Sequence, residues 1–116
     1  MSTLPVYARS NGSATGVAAA TEIAMSVPPR GVIKRVRVSK TSGLATTLAV
    51  EVLEAAGGTG ADVAISYSAA ASVDNEESIF YSVSESSPGV GTLYVKVTPD
   101  AGSNAVIARL DIEKVA

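Results

Sequence analysis

Apolar and polar residues alternate with a period of two along most of the chain, the pattern of strands with one buried and one wetted face. Across 17–27, Val17, Ala19, Thr21, Ile23, Met25 and Val27 share one side, while Ala18, Ala20, Glu22, Ala24 and Ser26 share the other. Pro28 and Pro29 interrupt the ladder because proline has no N–H to donate. Alternation resumes over 32–39, with Val36 and Val38 opposing Arg35 and Arg37, and again over 44–54, with Leu44, Leu48, Val50 and Val52 on one face. Further strands are marked by Val63, Ile65 and Tyr67, by Ile79, Tyr81 and Val83, by Leu93, Val95 and Val97, and by Val106, Ala108, Leu110 and Ile112. Turn-forming clusters separate them: Thr41-Ser42-Gly43, the glycine-rich 55–60, the acidic 74–77, Pro88-Gly89 and the dense 99–104.

No apolar period of 3.6 persists, although the alanine runs 18–20 and 69–71 could each support a helical turn. The predicted fold is all-β, a single antiparallel β-sandwich or jelly-roll-like barrel of about seven or eight strands. Its expected core contains Val36, Val38, Val50, Val52, Ile65, Tyr81, Val95, Val97, Leu110 and Ile112. Residues 1–16 are rich in Ser, Thr, Gly and Asn and read as a flexible arm with a short strand at 4–8, leaving 17–116 as the domain.

Composition changes this picture in one respect. The 116 residues are 47% hydrophobic, but with one Phe, four Tyr and no Trp, that share is mostly small aliphatics. Alanine contributes little buried area, so the core is thin, and thin cores gain stability from assembly. Several apolar residues are also out of phase with their strands: Phe80, Ile107, Ile33 and Tyr94. Clustered in space, they would mark a contact surface.

Charge and chemistry narrow the function. A net charge of −2 gives no positive field for nucleic acid. No apolar run reaches the length of a membrane span. The N-terminus lacks the charged and apolar regions of a signal peptide, so the expectation is cytoplasmic synthesis without classical secretion. With no His and no Cys, Ser-His and Cys-His nucleophiles and thiolate or His-ligated metals are impossible within the chain. Asp74, Glu76 and Glu77 could form a carboxylate pair or offer oxygens to calcium, as could Asp100 with Asn104. Their spacing fits no EF-hand, and solvated turns are the simpler reading. The 57–60 glycines lack the Lys-Ser/Thr ending of a phosphate loop, and Asn11-Gly12-Ser13 is a formal glycosylation sequon without a secretion signal. No catalytic site and no cofactor are expected.

One charge pattern stands out. Arg30, Lys34, Arg35, Arg37 and Lys40 fall in a stretch without acids, whereas acids gather at Asp74, Glu76, Glu77 and Glu85. Either this is a solvated strand face, or a basic strip meets an acidic partner surface, which a second copy could supply. Leu4, Val6 and Tyr7, apolar residues in the polar arm, could add a strand to a neighbour's sheet edge.

The segment 92–104, Thr-Leu-Tyr-Val-Lys-Val-Thr-Pro-Asp-Ala-Gly-Ser-Asn, followed by Ala108-Arg109-Leu110-Asp111-Ile112-Glu113, resembles the closing hairpin of small tailed-phage virion proteins. The polar start and the strands rich in Val, Ala and Thr are similar to head decoration, or cement, proteins. That resemblance implies a compact sandwich, often trimeric, seated on a capsid lattice. The resulting expectation is a non-enzymatic virion structural protein whose partners are itself and the major capsid protein. Its expected contacts are Leu4, Val6, Tyr7, Arg30, Lys34, Arg35, Arg37, Lys40, Phe80, Tyr94 and Ile107. The alternative is a carbohydrate- or receptor-binding module of a tail fibre, which the absence of Trp disfavours because sugar sites usually need an aromatic platform.

Overall fold

The computed structural model describes residues 6–57, 63 and 65–115. Among them the chain forms nine strands and no helix: β1 (Val6–Val17), β2 (Thr21–Val27), β3 (Arg30–Ser42), β4 (Thr47–Leu53), β5 (Ile65–Ala70), β6 (Ser72–Asn75), β7 (Ile79–Ser82), β8 (Gly91–Pro99) and β9 (Asn104–Lys114). They build two antiparallel sheets. The first has the order β1-β9-β3-β6, with β7 also paired to β3, and the second has the order β2-β8-β4-β5.

The pairings are nested: β1 with β9, β2 with β8, β3 with β6 and β7, and β4 with β5. The chain is thus one long hairpin folded over itself, which is jelly-roll connectivity with its sixth strand split into β6 and β7. The split lies opposite a bulge in β3, where the register against β9 shifts between Ile33 and Arg35. Lys34, the extra residue, reaches across the gap and donates from Nζ to the Ser78 hydroxyl at 3.2 Å.

The core lies between the sheets, and every residue named for it above is buried there. Each fully buried Val, Leu or Ile contributes about 1.5–3 kcal/mol. Tyr81 is the largest of these side chains. Its hydroxyl donates to the Pro28 carbonyl at 2.6 Å, so burying the ring orphans no polar group. Burial pushes that hydroxyl's pKa up to about 12, which keeps it a neutral donor.

Four features depart from the sequence expectation. The polar segment read as an arm is, from Val6 onward, a full edge strand hydrogen-bonded along β9. Its inward positions are Ala8, Ser10, Gly12 and Ala14, too small and polar to show an apolar period. Small residues are needed there because the two sheets pinch together at β1 and β2. A Cβ on Gly12 would lie 2.6 Å from Ile23 Cγ2 and 2.8 Å from Met25 Sδ. Second, the β3 bulge turns Ile33 into the core, where it is fully buried. Third, Leu44 lies in the β3–β4 turn, 77% exposed, because β4 starts only at Thr47. Fourth, the alternation read continuously over 17–27 breaks at 18–20, where the chain crosses from the first sheet to the second.

Candidate functional site

The outer face of the first sheet carries most of the candidate side chains. Residues directly paired across antiparallel strands point to the same side, so the register arranges this face in rows. One row runs Tyr7, Glu113, Val32 and Phe80. The next runs Arg9, Asp111 and Arg35; the third runs Asn11, Arg109, Arg37 and Asp74. The fourth runs Ser13, Ile107, Ser39 and Ser72.

The two middle rows form one charged network. Arg35 grips Asp74 bidentately, Nε to Oδ1 at 2.7 Å and Nη2 to Oδ2 at 2.6 Å, and its Nη1 lies 3.7 Å from Glu76. Arg9 donates from Nε to Asp111 Oδ1 at 3.0 Å. Arg37 and Arg109 reach the same two carboxylates only at 3.8 Å each. The Arg35 hydrogen bonds hold the Asp74 carboxyl below the ordinary carboxylate range, and Asp74 in turn raises the Arg35 guanidinium. A carboxylate held this way is a poor proton donor near neutrality.

The apolar row lies along one flank of the network. Phe80 is 54% and Tyr7 63% exposed, and Val32, directly opposite Phe80, is half-buried. The Arg30 guanidinium lies over the Phe80 ring, 5.9 Å from its centroid. A cleft of about 650 Å³ opens between the apolar row and the network, lined by Tyr7, Arg9, Lys34, Arg35, Ser78 and Asp111 among others.

No family model matches the chain, and no curated protein matches it. Among solved structures, the chain is similar to one in a cyanophage Pam1 capsid asymmetric unit, at 13% identity and a TM-score of 0.49, covering 96% of this chain and 86% of that one.

The residues singled out from sequence do not form one surface. The basic cluster 30–40 disperses because β3 is long and twice bulged. Arg35 and Arg37 face outward and engage Asp74 of their own chain, with Glu76 beside Arg35, so two of the acids expected to complement a second copy are used internally. Lys40 shares the inward side with Val36 and Val38 and caps the end of the sandwich, donating from Nζ to the Gly43 and Ala45 carbonyls at 2.8 and 2.9 Å. Arg30 serves Phe80. Phe80 and Ile107 share the outer face but sit in its first and fourth rows, about 20 Å apart at about 3.4 Å per residue. Tyr94 alternates with the buried Leu93 and Val95, so it faces outward from the second sheet, away from both. Val6 is exposed beside Tyr7, and Leu4 lies outside the described residues.

The acidic loop is also more ordered than expected, since Asp74 and Asn75 belong to β6. Of the candidate calcium ligands, Asp100 accepts hydrogen bonds from the Thr46 N–H at 2.8 Å, the Thr47 N–H at 3.1 Å and the Thr46 hydroxyl at 2.6 Å. Asn104 Oδ1 accepts the Ala45 N–H at 2.9 Å. Both residues therefore build the turns at this end. Sequence reasoning missed Val32, Arg109 and Asp111, whose only signal is their register with residues about fifty to a hundred positions away.

Proposed function

We propose that this chain is a non-enzymatic structural subunit of a tailed-phage virion, a cement or decoration protein assembled in the host cytoplasm and seated on the capsid surface. Its partners would be further copies of itself, with a trimer favoured, and the major capsid protein. The observation that carries this reading is the apolar row Tyr7, Val32 and Phe80, which folding leaves uncovered on the outer face of the first sheet. Jelly rolls build capsid and lectin domains alike, so the fold alone does not choose between them. A row of apolar side chains beside a fixed charge network is the make-up of a protein interface, in which the aromatics anchor and the charges set register.

The free edge of β1 adds a second contact. Over Val6–Ala14 it is regular, carries one charged side chain and no proline, and has no second strand paired to it among the described residues, so little blunts that stretch against pairing with another strand. This replaces the flexible-arm version of the same idea: β1 is already ordered, and would be extended rather than folded by a neighbour.

The test is association. Sedimentation equilibrium of the purified chain and co-sedimentation with assembled particles of the same virus should both show binding, and Phe80→Ser should weaken it while the far-ultraviolet spectrum stays β-type. Deleting residues 1–10 is not a clean test, because it removes part of β1. A parent chain that stays monomeric at high concentration and ignores particles would favour a ligand-binding module using the cleft beside Tyr7.

A further inference from the structure

We infer that Arg37 and Arg109 form an oxyanion-binding clamp on the outer face of the first sheet. The two are directly paired across β3 and β9, which places like charges opposite each other, an arrangement that costs stability. Two aspartates serve four arginines here, and the short contacts go elsewhere: Asp74 to Arg35 and Asp111 to Arg9. Arg37 and Arg109 are left with the 3.8 Å contacts.

Arg109 is further compromised. Its Nε is buried and has no hydrogen-bond partner among the described residues. Water does not reach that atom, so the guanidinium is partly desolvated without being fully paired. The parts of both side chains that remain accessible front a cleft of about 200 Å³, with Asn11, Ser39 and Ile107 completing its wall. The Asn11 amide and Ser39 hydroxyl supply neutral donors beside two guanidinium forks, the donor set that suits a carboxylate or a phosphate. The clamp does not depend on the virion reading, since it follows from charge and register alone.

The test follows the arginine Nε–H signals by proton–nitrogen NMR while sodium phosphate, or in a separate arm sodium acetate, is titrated at constant ionic strength. The Arg37 and Arg109 signals should move and saturate, while those of Arg9 and Arg35 stay nearly still. Saturation with both anions assigns the site to carboxylates as well as phosphate, and saturation with phosphate alone assigns it to phosphate. Arg109→Gln should abolish the saturable response. It should also raise the melting temperature in anion-free buffer by removing the like-charge pair, and phosphate should raise the melting temperature of the parent but not of this variant. Signals that drift together without saturating, or an Arg109→Gln variant less stable than the parent in anion-free buffer, would overturn the clamp.

Discussion

The buried side chain of Asn104 donates from Nδ2 to the Val17 carbonyl at 2.9 Å, tying the start of β9 to the end of β1. The same nitrogen donates to the Ala101 carbonyl at 2.9 Å, and the Oδ1 accepts the Ala45 N–H. One amide therefore joins three chain segments at the end of the sandwich, with the bonds to Val17 and Ala45 buried and the bond to Ala101 partly so. Asn104→Leu should strand one N–H and two carbonyls, at a cost of about 2–4 kcal/mol. Urea unfolding followed by circular dichroism checks this, and a loss under about 1 kcal/mol would mean that the end relaxes enough to rewet those groups.

Gly12 makes a steric prediction in the middle of β1. Gly12→Ala should destabilise by about 1–3 kcal/mol, because β1 and β2 must part to admit the methyl group. Combining it with Ile23→Ala should recover part of the loss, since the two sites share one contact. Strict additivity in a double-mutant cycle would count against the close approach.

Acid sensitivity should be traceable to Asp100. Hydrogen bonds from the Thr46 hydroxyl and from the Thr47 and Thr46 N–H groups lower its pKa from the ordinary 3.8 to about 2. A depressed folded-state pKa means the ionised form favours the native state. Its contribution is complete above about pH 4 and fades as pH falls toward 2. Asp100→Asn should therefore lower the melting temperature at pH 6, with the gap from the parent narrowing between pH 4 and pH 2. Melting curves across that range decide it, and a constant gap would place the effect outside ionisation.

These relationships differ in how far the sequence reveals them. The inward faces of β8 and β9 are legible because Leu93, Val95 and Val97, and Val106, Ala108, Leu110 and Ile112, alternate without interruption. β1 is not legible as a strand, because a pinched edge selects Gly12 and alanines where a period of two would otherwise show valines. Ile33 reads as outward because a one-residue bulge reverses the phase of everything before it. The candidate site is the least legible part. Arg35 and Arg37 can be seen to share a face, but the sequence does not say that Asp74 faces them, nor that Arg109 lies opposite Arg37. Cross-strand neighbours are set by register between distant segments, and local pattern carries no record of it.

The apolar row gives the prediction on which the structural reading stands or falls. Phe80 and Tyr7 are more exposed than buried, and Phe80 stands directly opposite Val32 with the Arg30 guanidinium over its ring. An exposed cation–π contact is worth about 0.5–1 kcal/mol and the half of the ring already covered by the fold about 1–2 kcal/mol, so Phe80→Ser should cost the isolated domain about 1.5–3 kcal/mol. Tyr7→Ser, on an edge strand, should cost less than that. In an assembly the two rings would lose their remaining water contact. Covering the exposed half of such a side chain contributes about 1–2 kcal/mol, or a five- to thirtyfold change in association constant. Each variant should therefore remain folded at 25 °C yet dissociate at concentrations that leave the parent assembled. Ile107→Ser, about 20 Å along the same face, separates a local contact from a general loss of surface hydrophobicity. If all three substitutions weaken association equally, the row has no special role; if none does, folding has left it exposed for some other partner.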